Sequence, residues 1–186
     1  MRRLLALAIV VALPIVALQA NDEKASPKDA PSFELKDLAG KTHKLSDFKD
    51  KILVLEWTEP GCPYIVRHAK SGTMKKIAKD YAKKDVVFIG ICTSSQTDTK
   101  GMADFAKKHG IDYPVLMDLD GSIGRAYGAT NTPHMFVVKD GKVVYEGAID
   151  DDRRGRKEKS VNYVRNAIDE LLAGKAVTKA KTKPYG

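Results

Sequence analysis

The sequence predicts an α/β fold: a mixed sheet with central parallel strands and a C-terminal antiparallel hairpin, covered by helices on both faces. Three observations predict it. The runs Ile52-Leu53-Val54-Leu55 and Val86-Val87-Phe88-Ile89-Gly90-Ile91-Cys92 are apolar throughout, as strands covered on both faces are. Between them Met74, Ile77, Ala78, Tyr81 and Ala82 recur at helical spacing, so the unit is strand–helix–strand with parallel pairing and a right-handed crossover. Farther on, residues 134–139 and 142–147 flank Asp140-Gly141, a strong type I′ hairpin signal.

The 186-residue chain opens with two arginines, an apolar run from Leu4 to Leu18 and a small residue, Ala20, before the charged stretch Asp22-Glu23-Lys24. Residues 1–20 therefore read as a secretory signal peptide, too short for a comfortable membrane span. An uncleaved N-terminal anchor is the alternative. Residues 21–30 are polar and proline-bearing and read as a flexible leader. Residues 31–173 form one domain of a size that supports a real core. Phe33 to Leu38 alternates, Ala39-Gly40-Lys41 turns and Thr42 to Leu45 returns, which describes a β-hairpin with His43 as an exposed residue. Ser46 is placed to cap a short helical turn before the first apolar strand. Ser94 to Thr99 is a polar loop, and Lys100 to His109 a helix closed by Gly110, with His109 compensating the dipole at its end. A short extended piece (113–118), a helical turn (121–127) and an amphipathic helix built on Val161, Val164, Ile168, Leu171 and Leu172 complete the domain. Residues 174–186 read as a mobile basic tail.

The net charge of +8 fits anionic partners in principle. Yet the lysines alternate with acids (Lys79, Asp80, Lys83, Lys84, Asp85), as on solvated helix faces, and the one dense basic run, 153–157, follows three aspartates. No nucleic acid is expected as a partner. Membrane contact is expected only if the N-terminal segment stays uncleaved.

The chemistry gathers around Cys62. Pro60 and Gly61 end the apolar strand, and Pro63 suits the first turn of a helix, where its missing N–H costs nothing. A thiol at a helix N-terminus meets unpaired N–H groups and the positive end of the dipole, and both favour thiolate. The competing reading is a small buried hydrophobe. Glu56 is the one charge in an apolar strand. It is either a buried carboxylate with a raised pKa, able to act as a base for the thiol, or a strand-end residue reaching solvent. Trp57 follows as a packing wall.

Together these motifs resemble a known family. Residues 31–41, Trp57 after the central strand, Gly61-Cys62-Pro63, Thr132-Pro133 before the hairpin, and the stretches 128–137 and 145–151 are similar to a thioredoxin-like fold of the redoxin branch. That branch is the alkyl hydroperoxide reductase/thiol-specific antioxidant (AhpC/TSA) superfamily, and the likeness is to a subgroup with a lone Cys-Pro motif. The resemblance spans residues 31–173. It implies that Cys62 is the catalytic thiol and that Thr132-Pro133 is a cis peptide beside it, with the Thr132 backbone free to pair with a substrate chain. Trp57, Pro63, Thr132 and Pro133 are then the substrate-binding residues.

The departures matter as much. A thioredoxin-type disulfide needs a second cysteine close behind the first to resolve the mixed disulfide, and Pro63, Tyr64 and Ile65 offer none. Peroxiredoxins carry a hydroxyl residue three positions before the reactive cysteine; here Glu59 stands there, and a carboxylate so close opposes thiolate formation. Cys92 ends the neighbouring strand and is either a resolving thiol or a buried structural cysteine. Subgroup members end in a Gly-Cys segment that could resolve the intermediate; the present sequence stops at Lys183-Pro184-Tyr185-Gly186, where that cysteine would fall, so either the protein lacks it or the cysteine follows Gly186 in a longer chain. His134 is expected near Cys62 and His68 on the helix surface, a pairing that invites copper or zinc but falls short of a metal site.

The expectation is an exported, periplasmic or secreted thiol-dependent oxidoreductase acting on disulfides or peroxides through Cys62, with no cofactor and no metal. An external thiol reductant or a disulfide-bearing protein is its partner. The alternative is a non-enzymatic thioredoxin-fold protein that binds a partner or copper through an unreactive or ligating cysteine.

Overall fold

The computed structural model describes residues 27–186, so the expected signal peptide and residues 21–26 of the leader lie outside the described residues. In chain order the elements are β1 (Lys28–Asp29), β2 (Glu34–Lys36), β3 (Thr42–Lys44), a 3-10 turn (Leu45–Phe48), β4 (Ile52–Trp57), α1 (Pro63–Ser71), α2 (Thr73–Tyr81), β5 (Val86–Cys92), α3 (Thr99–His109), β6 (Val115–Met117), α4 (Ser122–Tyr127), β7 (His134–Lys139), β8 (Lys142–Gly147) and α5 (Tyr163–Leu172).

Six strands form one sheet in the order β1-β8-β7-β4-β5-β6, with β4, β5 and β6 parallel and β7, β8 and β1 antiparallel to their neighbours. Both faces are covered, which explains the unbroken apolar runs. Ile52 and Val54 of β4 face Met74, Ile77 and Ile168 of α2 and α5. Leu53, Leu55 and Trp57 face Phe33, Tyr127 and Phe136 on the opposite side. A third cluster joins Cys92 and Val115 to Ile65, Met102 and Phe105 of α1 and α3, with Cys62 at its margin.

The β7–β8 turn has φ of 51° at Asp140 and 72° at Gly141, the two left-handed residues a type I′ turn requires. The helical connection between β4 and β5, read from the sequence as one helix of a strand–helix–strand unit, is two helices. Gly72 closes α1 at φ 66°, a left-handed conformation that ends the helical ladder and turns the chain into α2. The 3-10 turn is capped by Asp47, whose Oδ2 accepts from the Lys44 N–H at 2.9 Å, and Ser46 lies inside the turn. His43 is buried, not exposed. It occupies the middle of β3, stacks on Phe48, and its Nε2 lies 2.8 Å from Asp37 Oδ2 in the turn of its own hairpin.

The largest differences concern the ends of the described chain. Within the expected flexible leader, Lys28 and Asp29 pair with Val143 and Lys142. The basic tail is not mobile: Val177 and Tyr185 are buried, and Lys181 forms a parallel bridge with Glu146. The cause is the outer edge of β8, which would otherwise present unpaired backbone groups. The leader covers its first half and the tail its last residues.

Candidate active site

Strand β4 delivers Trp57 to the C-terminal edge of the sheet, and the turn 58–61 carries the chain to the start of α1. Cys62 is the N-cap residue of that helix with Pro63 in its first turn, as the sequence predicts. The Cys62 thiol is half-buried and donates to the carbonyl of Thr132 at 2.7 Å. The Thr132–Pro133 peptide is cis, as the resemblance implied. Cys62 and Thr132, 70 positions apart in sequence, are thus joined through the chain reversal that leads into β7.

Trp57 is buried and edge-on to Phe136 at 5.1 Å; its Nε1–H donates to Thr93 Oγ1 at 3.2 Å. Thr93 in turn donates to Asp118 Oδ2 at 2.6 Å, and Asp118 also accepts from the N–H groups of Ile123 and Gly124 at the start of α4. This clip sets the wall of an open groove of about 470 Å³ lined by Trp57, Glu59, Arg125, Asn131 and Thr132. Burial alone would raise the Glu59 pKa, but hydrogen bonds from Ser94, Thr97 and the Gly61 N–H overcome it and hold the carboxyl below its usual range. A negative charge therefore borders the groove beside Cys62.

Glu56 does not reach solvent. It is buried on the face of β4 that α1 covers, burial pushes its pKa up to about 7, and the Tyr113 hydroxyl donates to Oε2 at 2.8 Å, partly countering the rise. It lines a cavity of about 20 Å³ with Thr58, Ile65, His68 and His109, room for about one water. Its hydrogen-bond partner is Tyr113, not Cys62.

Cys92 is free and wholly buried, and burial, with Glu59 and Asp118 adding to it, pushes its thiol up to about 12. His68 is buried rather than on the surface. It points inward from α1, with Nδ1 3.2 Å from Thr73 Oγ1 and Nε2 3.1 Å from Arg67 Nη2. Burial, with the Arg67 charge, lowers its pKa to about 4. His134 lies at the start of β7, opposite Trp57 in register, and its Nδ1 accepts from the Thr130 N–H at 3.3 Å; burial lowers its pKa to about 4 as well. Among the described residues no group of three or more His, Cys, Asp or Glu side chains is placed to hold a metal ion.

The redoxin family profile matches residues 25–164. The chain belongs to the redoxin family. This redoxin is 32% identical over 120 residues to the thiol-disulfide oxidoreductase ResA of Bacillus thuringiensis, a match covering 64% of this chain and 67% of the relative. It is 26% identical to the peroxiredoxin Bcp of Bacillus subtilis, over 76% of this chain and 91% of the relative. Among solved structures, a hypothetical protein of Sinorhizobium meliloti superposes with a TM-score of 0.78 at 28% identity, over 86% of this chain and 91% of that one. The fold is thioredoxin-like, α/β with a mixed sheet and helices.

Sequence reasoning missed several residues of this redoxin's site. Tyr113, the partner of Glu56, and Asp118, which anchors Thr93, sit in a short extended piece and the turn after it and carry no local signal. Tyr185 lies in the tail. It is buried among Tyr64, Arg67 and His68, and its hydroxyl donates to Asp150 Oδ1 at 2.5 Å. An aromatic residue in an otherwise polar, basic segment was the available hint.

Proposed function

We propose that this redoxin is an exported thiol–disulfide oxidoreductase in which Cys62 is the attacking group. The observation that carries the reading is the Cys62 sulfur at the start of α1, held 2.7 Å from the Thr132 carbonyl beside Pro133. Cys62 loses its proton and its sulfur attacks one sulfur of a disulfide. A Cys62–substrate disulfide forms, and the other substrate sulfur leaves as a thiolate that takes up a proton. An external thiol then attacks the Cys62–substrate disulfide, leaving Cys62 reduced and the substrate sulfur joined to the incoming thiol or, with a dithiol reductant, freed. Resolution falls to an outside thiol because Cys92 stays protonated at neutral pH in its apolar cluster.

In this reading Thr132 and Pro133 bound the position of the substrate chain, Trp57 walls the groove, and Pro63 starts the helix that Cys62 caps. Glu56 holds its proton beneath α1 with Tyr113 as its partner and takes no direct part at the thiol. Peroxide is the weaker substrate: Glu59 sets a carboxylate where a peroxide-reducing site needs a hydroxyl donor. Export is read from the pattern of residues 1–20.

The test is mass spectrometry of the protein incubated with an oxidised peptide. Wild type and Cys92→Ala should form a one-to-one mixed disulfide, and Cys62→Ser should form none. An adduct that survives in Cys62→Ser would end this reading.

A further inference from the structure

Residues 174–186 leave α5, cross the outer edge of β8 and reach the backbone of Thr132, the residue whose carbonyl accepts the Cys62 thiol. The Glu146 N–H donates to the Ala180 carbonyl at 2.9 Å and the Thr182 N–H to the Glu146 carbonyl at 3.0 Å, so the segment runs as an added strand. Lys181 pairs with Glu146. Thr182 Oγ1 accepts from the Ala148 N–H at 2.9 Å and packs so closely on Gly147 that a Cβ there would collide with it. Tyr185 then inserts its ring beside Tyr64 (centroids 5.6 Å apart) and beneath Arg67, with its hydroxyl bonded to Asp150. Gly186 lies directly on the Thr132 backbone, where a Cβ would overlap the Thr132 carbonyl, and Asn131 Nδ2 donates to the Gly186 carbonyl at 3.2 Å.

The Thr132 carbonyl is the one that accepts the Cys62 thiol. Backbone cannot be laid along Thr132 while Gly186 covers it. A chain that reached the sulfur by pairing there would meet the protein's own segment, already extended and already hydrogen-bonded.

We propose that residues 180–186 are a built-in occupant of the polypeptide-binding surface beside Cys62, which a substrate must displace and whose contacts define the substrate it fits. That substrate is an extended, lysine-bearing polypeptide with an aromatic side chain one residue before a small residue that crosses Thr132. Glu146 receives the lysine, the space between Tyr64 and Arg67 receives the ring, and only a residue without a bulky side chain passes the Thr132 carbonyl. This inference rests on the disulfide-exchange reading for its biological sense, but the surface itself can be tested without redox chemistry.

The first readout uses Cys62→Ser protein and a fluorescent peptide with the sequence of residues 178–186, followed by anisotropy. With the strap intact the peptide competes against an intramolecular copy and binds weakly. Adding Tyr185→Ala releases the anchor, and binding should tighten about tenfold or more as the open fraction rises. The same peptide with its tyrosine replaced by alanine should not bind. Equal affinities with and without Tyr185→Ala overturn the proposal. The second readout uses the Cys62 protein. Mixed-disulfide formation with a disulfide-bearing lysine- and tyrosine-containing peptide should speed about tenfold in Tyr185→Ala, while alkylation of Cys62 by iodoacetamide should change no more than about twofold. Where the protein with Tyr185 intact forms the mixed disulfide, a peptide rate that is unchanged or slower in Tyr185→Ala overturns it. Gly186→Ala, which forces a Cβ onto Thr132, loosens the same end and carries the test if Tyr185→Ala does not fold. Peptide binding in Cys62→Ser together with no mixed disulfide in any variant would keep the strap and refute disulfide exchange.

Discussion

Glu56→Gln should make the protein more stable at alkaline pH and leave it nearly unchanged at acid pH. The folded protein holds the Glu56 proton up to about pH 7, whereas an exposed glutamate releases it near 4.5. Between those values the folded state binds more protons than the unfolded state, so stability falls as pH rises through the window and stays low above it. A raised carboxyl pKa thus has the opposite sign to that of a salt-bridged carboxylate. At about 1.4 kcal/mol per pH unit the loss is about 3 kcal/mol. Gln fills the same volume, its carbonyl accepts the Tyr113 hydroxyl, and it does not titrate, so the variant escapes the loss. The assay is urea unfolding followed by emission of the single tryptophan, Trp57, at pH 4.5, 6 and 8. The variant should match wild type at pH 4.5 and exceed it by about 3 kcal/mol at pH 8, or about 6–12 °C in Tm for a domain of this size. Taking the difference between the two proteins cancels the histidines and every surface carboxylate. A difference that stays flat across the three pH values would refute the buried, proton-holding Glu56.

Other outcomes follow from the same geometry. Cys92→Ala should keep thiol exchange at Cys62 and cost about 1–2 kcal/mol, because it opens a small cavity among Ile65, Met102 and Met117; urea unfolding and adduct mass check the two halves separately. Asp118→Ala strands the Thr93 hydroxyl and the Ile123 and Gly124 N–H groups, so a loss of about 3 kcal/mol is expected, with Trp57 emission shifted red as its wall loosens. His68 and His134 are buried neutral with pKa near 4 against 6.5 when exposed, so stability should rise with pH between those values. A His134→Gln variant should flatten part of that rise in acid unfolding curves.

Much of the site could be read locally. The strand 52–57, the break at Pro60-Gly61 and Pro63 after Cys62 placed the thiol at a helix start because turn and cap chemistry acts over a few residues. The Asp140-Gly141 hairpin and Gly110 at the end of α3 were legible for the same reason. His68 was misjudged because distance along a helix says nothing about which face a partner will bury. His43 was misjudged because its Asp37 partner and its packing under Phe48 arise only once the hairpin closes.

The amino-acid pattern by itself determined the strands and helices of the central domain, apart from the break at Gly72, and that Cys62 heads α1, since periodicity, turn residues and capping are short-range preferences; it missed the pairing of the leader and the tail with β8. It also settled Glu56 as one of two things, buried acid or exposed strand end, without choosing. Only the tertiary structure chose, because burial depends on the helices that α1 and α2 lay over β4. The contact of Cys62 with Thr132, the Trp57–Thr93–Asp118 clip and the strap ending on Thr132 were likewise decided there. Each joins residues far apart in the chain, through hydrogen bonds that exist only after the sheet has assembled and its outer edge has been covered.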